Sequence, residues 1–289
     1  MVSDYPSPFI PHAIELDGHR LSYIDEGKGR TIVMLHGNPT WSFMYRRMIA
    51  RLAPGYRVIA PDHMGCGLSD KPQAYPYVLE THIQNLERLL ATLNIQKLTL
   101  MVHDWGGAIG MGYATRHPEQ IESLIIFNTA AFRSRRMPWR IRLCGLPLLG
   151  PLLVQGLNGF ARAALSMAVT RPLSPEIKRG LLAPYDSWQN RVAILQFVRD
   201  IPMSSRHPSW QTLVDIEAGL AELRDKPVLL VWGGKDFCFN RGFYDRWLEI
   251  FPNAKATYLD EVGHYLLEDA FEQVTPLVEQ FLQDHPDNP

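Results

Sequence analysis

Residues 98–118 read LTLMVHDWGGAIGMGYATRHP. The first part, LTLMV, is an apolar run of strand length, and the part after Asp104 is a small-residue stretch of helical length that Pro118 stops. A strand that turns at once into a helix, with a carboxylate at the bend, is a unit of a parallel α/β sheet. The flanking sequence repeats the unit. Residues 20–27, 30–36, 56–62 and 122–128 read as strands before and after it, and 41–53 and 78–93 as helices. In the latter, Ile83, Leu86, Leu89, Leu90 and Leu93 fall at helical spacing. The alternation stops at 133–219, where the patterns are helical, and resumes with a strand at 226–236, a helix at 241–251, a strand at 256–264 and a helix at 270–283. The reading is an α/β fold: a doubly wound, mostly parallel sheet formed by 1–132 and 220–289, with 133–219 inserted as a helical cap.

The chain has 289 residues, enough for one large domain with an insertion. Lys+Arg number 29 and Asp+Glu 30, so no long-range field draws the protein to nucleic acid or to an anionic membrane. Cys66, Cys144 and Cys238 are odd in number and widely spaced, which argues against a disulfide framework and fits a reducing, cytoplasmic setting. There is no CxxC pair, and no metal is expected. The opening MVSDYPSPFIPH lacks the basic and apolar regions of a secretory leader. Residues 143–161, LCGLPLLGPLLVQGLNGFA, are uncharged and about as long as a membrane span, but Pro147, Pro151, Gln155 and Asn158 interrupt them. The expectation is short apolar helices over a greasy pocket, with shallow membrane contact as an alternative use.

In open parallel sheets, ligands bind beyond the carboxyl ends of the strands. The polar residues at those ends are His36–Asn38, Asp62, His103–Trp105, Asn128, Asp236 and His264. Asp104 occupies the serine position of the G-x-S-x-G nucleophile elbow, with Val102 and Gly106 at the glycine positions. A carboxylate at a helix N-terminus is favoured in its ionised form and can displace a leaving group to form an ester. The same residue could merely cap the helix. HGNP at 36–39 lies where oxyanion-hole loops lie, and Asn38 adds a side-chain donor; an ordinary Asn-Pro turn is the structural alternative. His264, after the last strand, could activate water, and Asp236, after the preceding strand, could hold its tautomer. The chain order nucleophile, acid, histidine is that of α/β-hydrolases. Asp62, in a turn that needs Gly65 and Gly67, reads as structural. Neither Cys66 nor Cys238 has the context of a nucleophile.

The set HGNPTWSFMYR, PDHMGCGLSDKP, VHDWGGAIG and GHYLLED resembles the haloalkane dehalogenases, a group of the α/β-hydrolase fold, over nearly the whole core. The resemblance implies that Trp105 and Asn38 hold a leaving anion. Some dehalogenases carry the triad acid as Glu after the sixth strand; Asn128 stands there, so Asp236 is the expected acid. When MPWRIR (137–142), APYDSWQNR (183–191), FVRDIP (197–202) and WGGKDFCF (232–239) are included, the chain is similar to OleB-type β-lactone decarboxylases of bacterial olefin biosynthesis. That resemblance implies conversion of a dialkyl β-lactone to a long-chain cis-alkene and carbon dioxide. In it Asp104 attacks the ring, His264 assists through water, and Asn38 and Trp105 hold the carboxylate or oxyanion. It implies a hydrophobic substrate, no cofactor, and association with other olefin-biosynthesis enzymes. The leucines of 143–161 are expected either to line the alkyl pocket or to pack on the core. Haloalkane dehalogenation is the alternative activity. Epoxide hydrolases, which raise two cap tyrosines over the ring oxygen, fit less well, because 133–219 holds only Tyr185. A non-catalytic receptor on the same fold is a further alternative; retention of Asp104, Asp236 and His264 weighs against it.

Overall fold

The computed structural model describes residues 9–286; the first eight residues, which carry most of the leader reading, lie outside them. The eight strands are β1 (His12–Leu16), β2 (His19–Glu26), β3 (Thr31–Leu35), β4 (Arg57–Pro61), β5 (Leu98–Val102), β6 (Ile121–Phe127), β7 (Val228–Gly233) and β8 (Lys255–Leu259). They form one sheet in the order β1-β2-β4-β3-β5-β6-β7-β8. β1, β2 and β4 pair antiparallel; from β4 to β8 every pairing is parallel. β3, β5 and β7 are buried at every position, as strands covered on both faces must be.

The helices follow from the same punctuation. α1 (Arg46–Leu52), α2 (Leu79–Thr92) and α3 (Trp105–Arg116) alternate with the strands. Between β6 and β7 the described chain is helical: α4 (Trp139–Cys144), α5 (Leu149–Pro151), a π-turn at Leu152–Gly156, α6 (Gly159–Met167), α7 (Pro175–Leu182), α8 (Val192–Arg199) and α9 (Trp210–Gly219). α10 (Arg241–Ile250), α11 (Leu266–Asp269) and α12 (Phe271–Asp284) complete the chain. One face of the sheet packs on α2, α3 and α10 through residues such as Ile83, Ile109 and Trp247. The other packs on α1 and α12 through Met48, Ile49, Val274 and Phe281. A third apolar cluster, around Trp41, Phe43, Val154, Ile194 and Leu195, joins the inserted helices to the loop after β3.

The strand β1 departs from expectation, since the first strand read from the sequence is 20–27. The missed signal is Asp17-Gly18: their φ values of 52° and 78° place both residues of the two-residue turn in the left-handed region, which suits an Asp-Gly hairpin.

From β3 the chain runs outward to β4 and then crosses back to lay β5 on the other side of β3. This reversal opens a crevice at the carboxyl ends of β3 and β5, where ligands bind in sheets of this kind. Gly106 makes it possible for α3 to start against β3: a Cβ there would overlap the Leu35 carbonyl. Gly106→Ala is expected to lower the unfolding free energy by about 1–3 kcal/mol through this overpacking, read as a shifted urea midpoint with an unchanged m-value.

Candidate active site

Asp104 sits at the end of β5 with φ 51° and ψ −126°, a conformation that costs a non-glycine residue on the order of 1–3 kcal/mol. Its surroundings hold it there. The Asp104 N–H donates to the Asn128 carbonyl (3.0 Å), and the Asp104 carbonyl accepts from Gly107 N–H (2.9 Å) and from the Thr129 hydroxyl. Gly37 lies so close to the Asp104 side chain that a Cβ would strike it. The carboxylate accepts the Asn38 backbone N–H at Oδ1 (2.7 Å) and a second backbone N–H from Trp105. The bend therefore turns the side chain away from the sheet and against two backbone donors.

The other sequence-predicted residues converge on it. His264 Nδ1 hydrogen-bonds Asp236 Oδ2 (2.6 Å), and His264 Nε2 stands 3.7 Å from Asp104 Oδ2. Asp236 is held at Oδ1 by the backbone N–H groups of Cys238 (2.7 Å) and Phe239 (3.1 Å). Burial pushes the Asp104 carboxyl up, against the opposing pull of His264 and the Asn38 N–H. Burial alone would lower the His264 pKa, but Asp236 and Asp104 outweigh it and raise it. Burial likewise works to raise Asp236, and contact with His264 outweighs it and holds it low. The result is a carboxylate–imidazole pair facing a carboxylate that accepts no side-chain donor among the described residues, a geometry chemically able to supply a nucleophile, a base and an orienting acid.

Three residues without an assigned role in the sequence reading position this set. Asn128 Nδ2 donates to Asp236 Oδ2 (3.0 Å) and to the Gly233 carbonyl (3.0 Å), while its Oδ1 accepts the Gly233 N–H (2.8 Å). Its place at a strand end marked it, but its partners lie more than a hundred residues away. His103 is fully buried, hydrogen-bonds the His264 carbonyl through Nε2 (2.9 Å), and is held neutral by burial, at about 3. Asp269 accepts the N–H groups of Gly263 (2.8 Å), Thr170 (2.8 Å) and Arg171 (3.1 Å), tying the His264 loop to the inserted helices.

The site opens into a cavity of about 930 Å³, a volume that includes the open mouth. Asn38, Asp104 and Trp105 line its floor side, and the walls are apolar, with Phe132, Met137, Ile141, Met203 and Phe243 among them. The indole N–H of Trp105 makes no hydrogen bond among the described residues and is free for a ligand. Asn38 Nδ2 donates to the Ile194 carbonyl (3.2 Å), which leaves one of its protons free, and Asn38 Oδ1 is buried with no partner. Trp41 Nε1 donates to the Gly180 carbonyl (3.1 Å), and the Tyr185 hydroxyl to the Thr40 carbonyl (3.1 Å). The loop after β3 is thus fixed to the inserted helices at three points.

One expectation needs correction. Of residues 143–161, only Phe160 lines the cavity. Leu143, Leu146, Leu148, Leu149, Leu152 and Leu157 are exposed instead. The helices there are short, interrupted at the turn around Pro147 and again at Asn158, so leucines fall on the outer side while residues outside the stretch, such as Ile141 and Val198, supply the lining. Asp62 is structural as read: Oδ1 accepts Ser42 N–H and Oδ2 accepts Leu68 N–H, both at 2.8 Å. Cys66 is buried with its thiol pushed up to about 12, and burial and neighbouring carboxylates push Cys238 up as well, so neither is a thiolate. Tyr185 is buried away from the cavity lining.

Comparison with known proteins identifies the family. The alpha/beta hydrolase fold family matches residues 30–143. The chain is 43% identical to a cis-3-alkyl-4-alkyloxetan-2-one decarboxylase of Shewanella oneidensis, over 96% of this chain and 89% of that protein. It is 38% identical to the protein of the same name in Xanthomonas campestris pv. campestris, over 98% and 99%. Among solved structures, the haloalkane dehalogenase of Agrobacterium tumefaciens superposes with a TM-score of 0.86 at 26% identity, covering 96% of this chain and 97% of the other.

The coupling of His264 to two carboxylates can be read directly. In histidine-labelled protein followed by NMR, His264 is expected to titrate above the ordinary imidazole value, and Asp236→Asn is expected to bring it down, because burial then acts with one fewer counter-charge.

Proposed function

The chain belongs to the α/β-hydrolase family, as an enzyme of its haloalkane dehalogenase-like group, and from that premise we propose that it is a β-lactone decarboxylase, converting a dialkyl β-lactone to a long-chain cis-alkene and carbon dioxide. The observation that carries this reading is the similarity, 43% and 38% identity over 96% and 98% of the chain, to relatives named for a dialkyl oxetanone. The apolar cavity with Asp104 in its lining supports it, since each buried methylene of an alkyl chain contributes roughly 0.8 kcal/mol. Residues 133–219 act as the cap and 1–132 with 220–289 as the core.

In the proposed reaction, a carboxylate oxygen of Asp104 attacks the ring carbon that carries the ring oxygen. The new ester bond forms as the ring C–O bond breaks, and the ring carbonyl becomes a free carboxylate. The Trp105 indole N–H and the free Asn38 amide proton take up its charge. Inversion at the attacked carbon sets the ester oxygen antiperiplanar to that carboxylate. Loss of carbon dioxide then supplies the electron pair of the double bond, the ester C–O bond breaks, and Asp104 returns as a carboxylate. A cis-lactone thus yields a cis-alkene. The steps balance without water or cofactor. His264, its proton retained by Asp236 and Asp104, faces the departing carboxylate of Asp104 and stabilises it.

Hydrolysis of an alkyl halide is the second reading, favoured by the likeness to the dehalogenase structure. There, halide would leave against Trp105 and Asn38, and His264 would draw a proton from water that cleaves the ester.

The two separate on products. Incubated with a cis-3,4-dialkyl β-lactone, the protein is expected to release alkene far faster than it releases bromide from 1-bromoalkanes; the reverse order would assign the halide reaction. Repeated turnover of lactone in ¹⁸O-water should leave Asp104 unlabelled, since ester hydrolysis alone inserts water oxygen. Asp104→Ala should abolish turnover, by a factor of roughly 10⁴ or more; retained activity would falsify the nucleophile. Because burial raises the Asp104 carboxyl, the acid limb of the kcat/KM profile should lie above the ordinary carboxylate range, with activity lost as pH falls through it.

A further inference from the structure

The outer side of segment 139–157 is apolar and cationic together. Leu148 is 91% exposed and Trp139 65%, and Leu143, Leu146, Leu149, Leu152 and Leu157 are exposed with them. Trp188 extends the patch: it is exposed, its carbonyl accepts from Gln155 Nε2 (3.2 Å), and its ring lies beside Gly156. Large apolar side chains exposed together on one short segment mark a contact surface. The charge around it is one-sided. No acidic residue occurs between Glu122 and Glu176, whereas Arg133, Arg135, Arg136, Arg140, Arg142, Arg162 and Arg171 all do. Arg133 is paired with Glu217. Arg135, Arg136, Arg140, Arg142 and Arg162 are exposed and form no ion pair among the described residues.

We propose that this face docks on an anionic phospholipid bilayer. Leucine and tryptophan side chains enter the headgroup boundary while unpaired arginines meet lipid phosphates, which is how interfacial segments bind without crossing. No helix of the described residues is long and apolar enough to span a membrane, so the contact is peripheral. The net charge of −1 gives the whole molecule no pull toward such a surface; the attraction is local to this face. Its position matters for the cavity. Met137, Pro138 and Ile141 line the cavity, while Trp139, Arg140, Arg142 and Leu143 of the same segment are exposed. The lip of the cavity would rest on the lipid, and an alkyl substrate would reach Asp104 with little exposure of its chains to water. The docking surface itself stands whichever reaction Asp104 carries out.

The test uses the full chain and needs no substrate. In vesicle flotation, the protein is expected to rise with phosphatidylcholine vesicles containing phosphatidylglycerol, to bind pure phosphatidylcholine much less, and to be released by high salt. Arg140→Gln with Arg142→Gln should weaken binding about 25-fold, at about five-fold per arginine. Leu148→Ser with Leu152→Ser should weaken it at least as much. None of these four side chains lines the cavity, and each variant should keep the wild-type circular dichroism and thermal midpoint. Failure of the wild-type protein to float with anionic vesicles, or equal flotation of both variants, would overturn the proposal. So would a wild-type dimer in light scattering that the leucine variant dissociates and that vesicles do not compete away, which would give the patch to a second copy of the chain.

Discussion

A carboxylate on a left-handed backbone turn, Asp104 at φ 51°, is the constraint around which the molecule is arranged. Strain at such a residue persists only where the surroundings over-determine it. Here they do so from the two strands that flank β5: Leu35 of β3 receives the His103 N–H, and beyond β6 Asn128 receives the Asp104 N–H and Thr129 bonds the Asp104 carbonyl. Glycines at 37 and 106 let the loop after β3 and the start of α3 approach without a Cβ in the way. If the bend relaxed, the side chain would lose the Asn38 and Trp105 backbone donors and its alignment with His264.

Burial gives these residues opposed ionisation preferences. Desolvation drives Asp104 toward its neutral form, and His264 and the Asn38 N–H work against it. Asp236 has the richer set of donors, Cys238, Phe239, Asn128 and His264, and stays low. Two carboxylates flanking one imidazole thus differ in kind. The well-bonded one orients the ring, and the less-bonded one faces the cavity with its electron pairs available. His103 adds no charge of its own, being held neutral by burial, and serves by fixing the His264 backbone.

The inserted helices are part of the site. They hold the loop after β3 through Gly180, Tyr185 and Ile194, and the His264 loop through Thr170 and Arg171. Asn38 is the point where this dependence is strongest, since one proton of its amide is committed to Ile194. The same helices wall the cavity with apolar side chains and turn their leucines outward. The segment 137–143 therefore presents two apolar sides, Met137 and Ile141 toward the cavity and Trp139 and Leu143 toward the outside.

Local sequence carries the elements and the chemistry at each strand end. Hydrophobic period and Gly/Pro punctuation place strands 2 to 8 and the helices that alternate with them, because parallel strands are continuous apolar runs and helices repeat near every fourth residue. Chain order and position were enough to select Asp104, Asp236 and His264 from thirty acids and ten histidines. The β1 hairpin was legible too, in Asp17-Gly18, whose left-handed turn the sequence encodes. What only the tertiary structure decided is which side of a helix faces inward and which distant groups meet. The outward leucines of 143–161, the sharing of Asn128 between Gly233 and Asp236, and the ties from the inserted helices to Asn38 and Asp269 all depend on contacts between segments far apart in the chain. Local propensity does not specify such contacts, and packing chooses among the faces that a short broken helix offers equally.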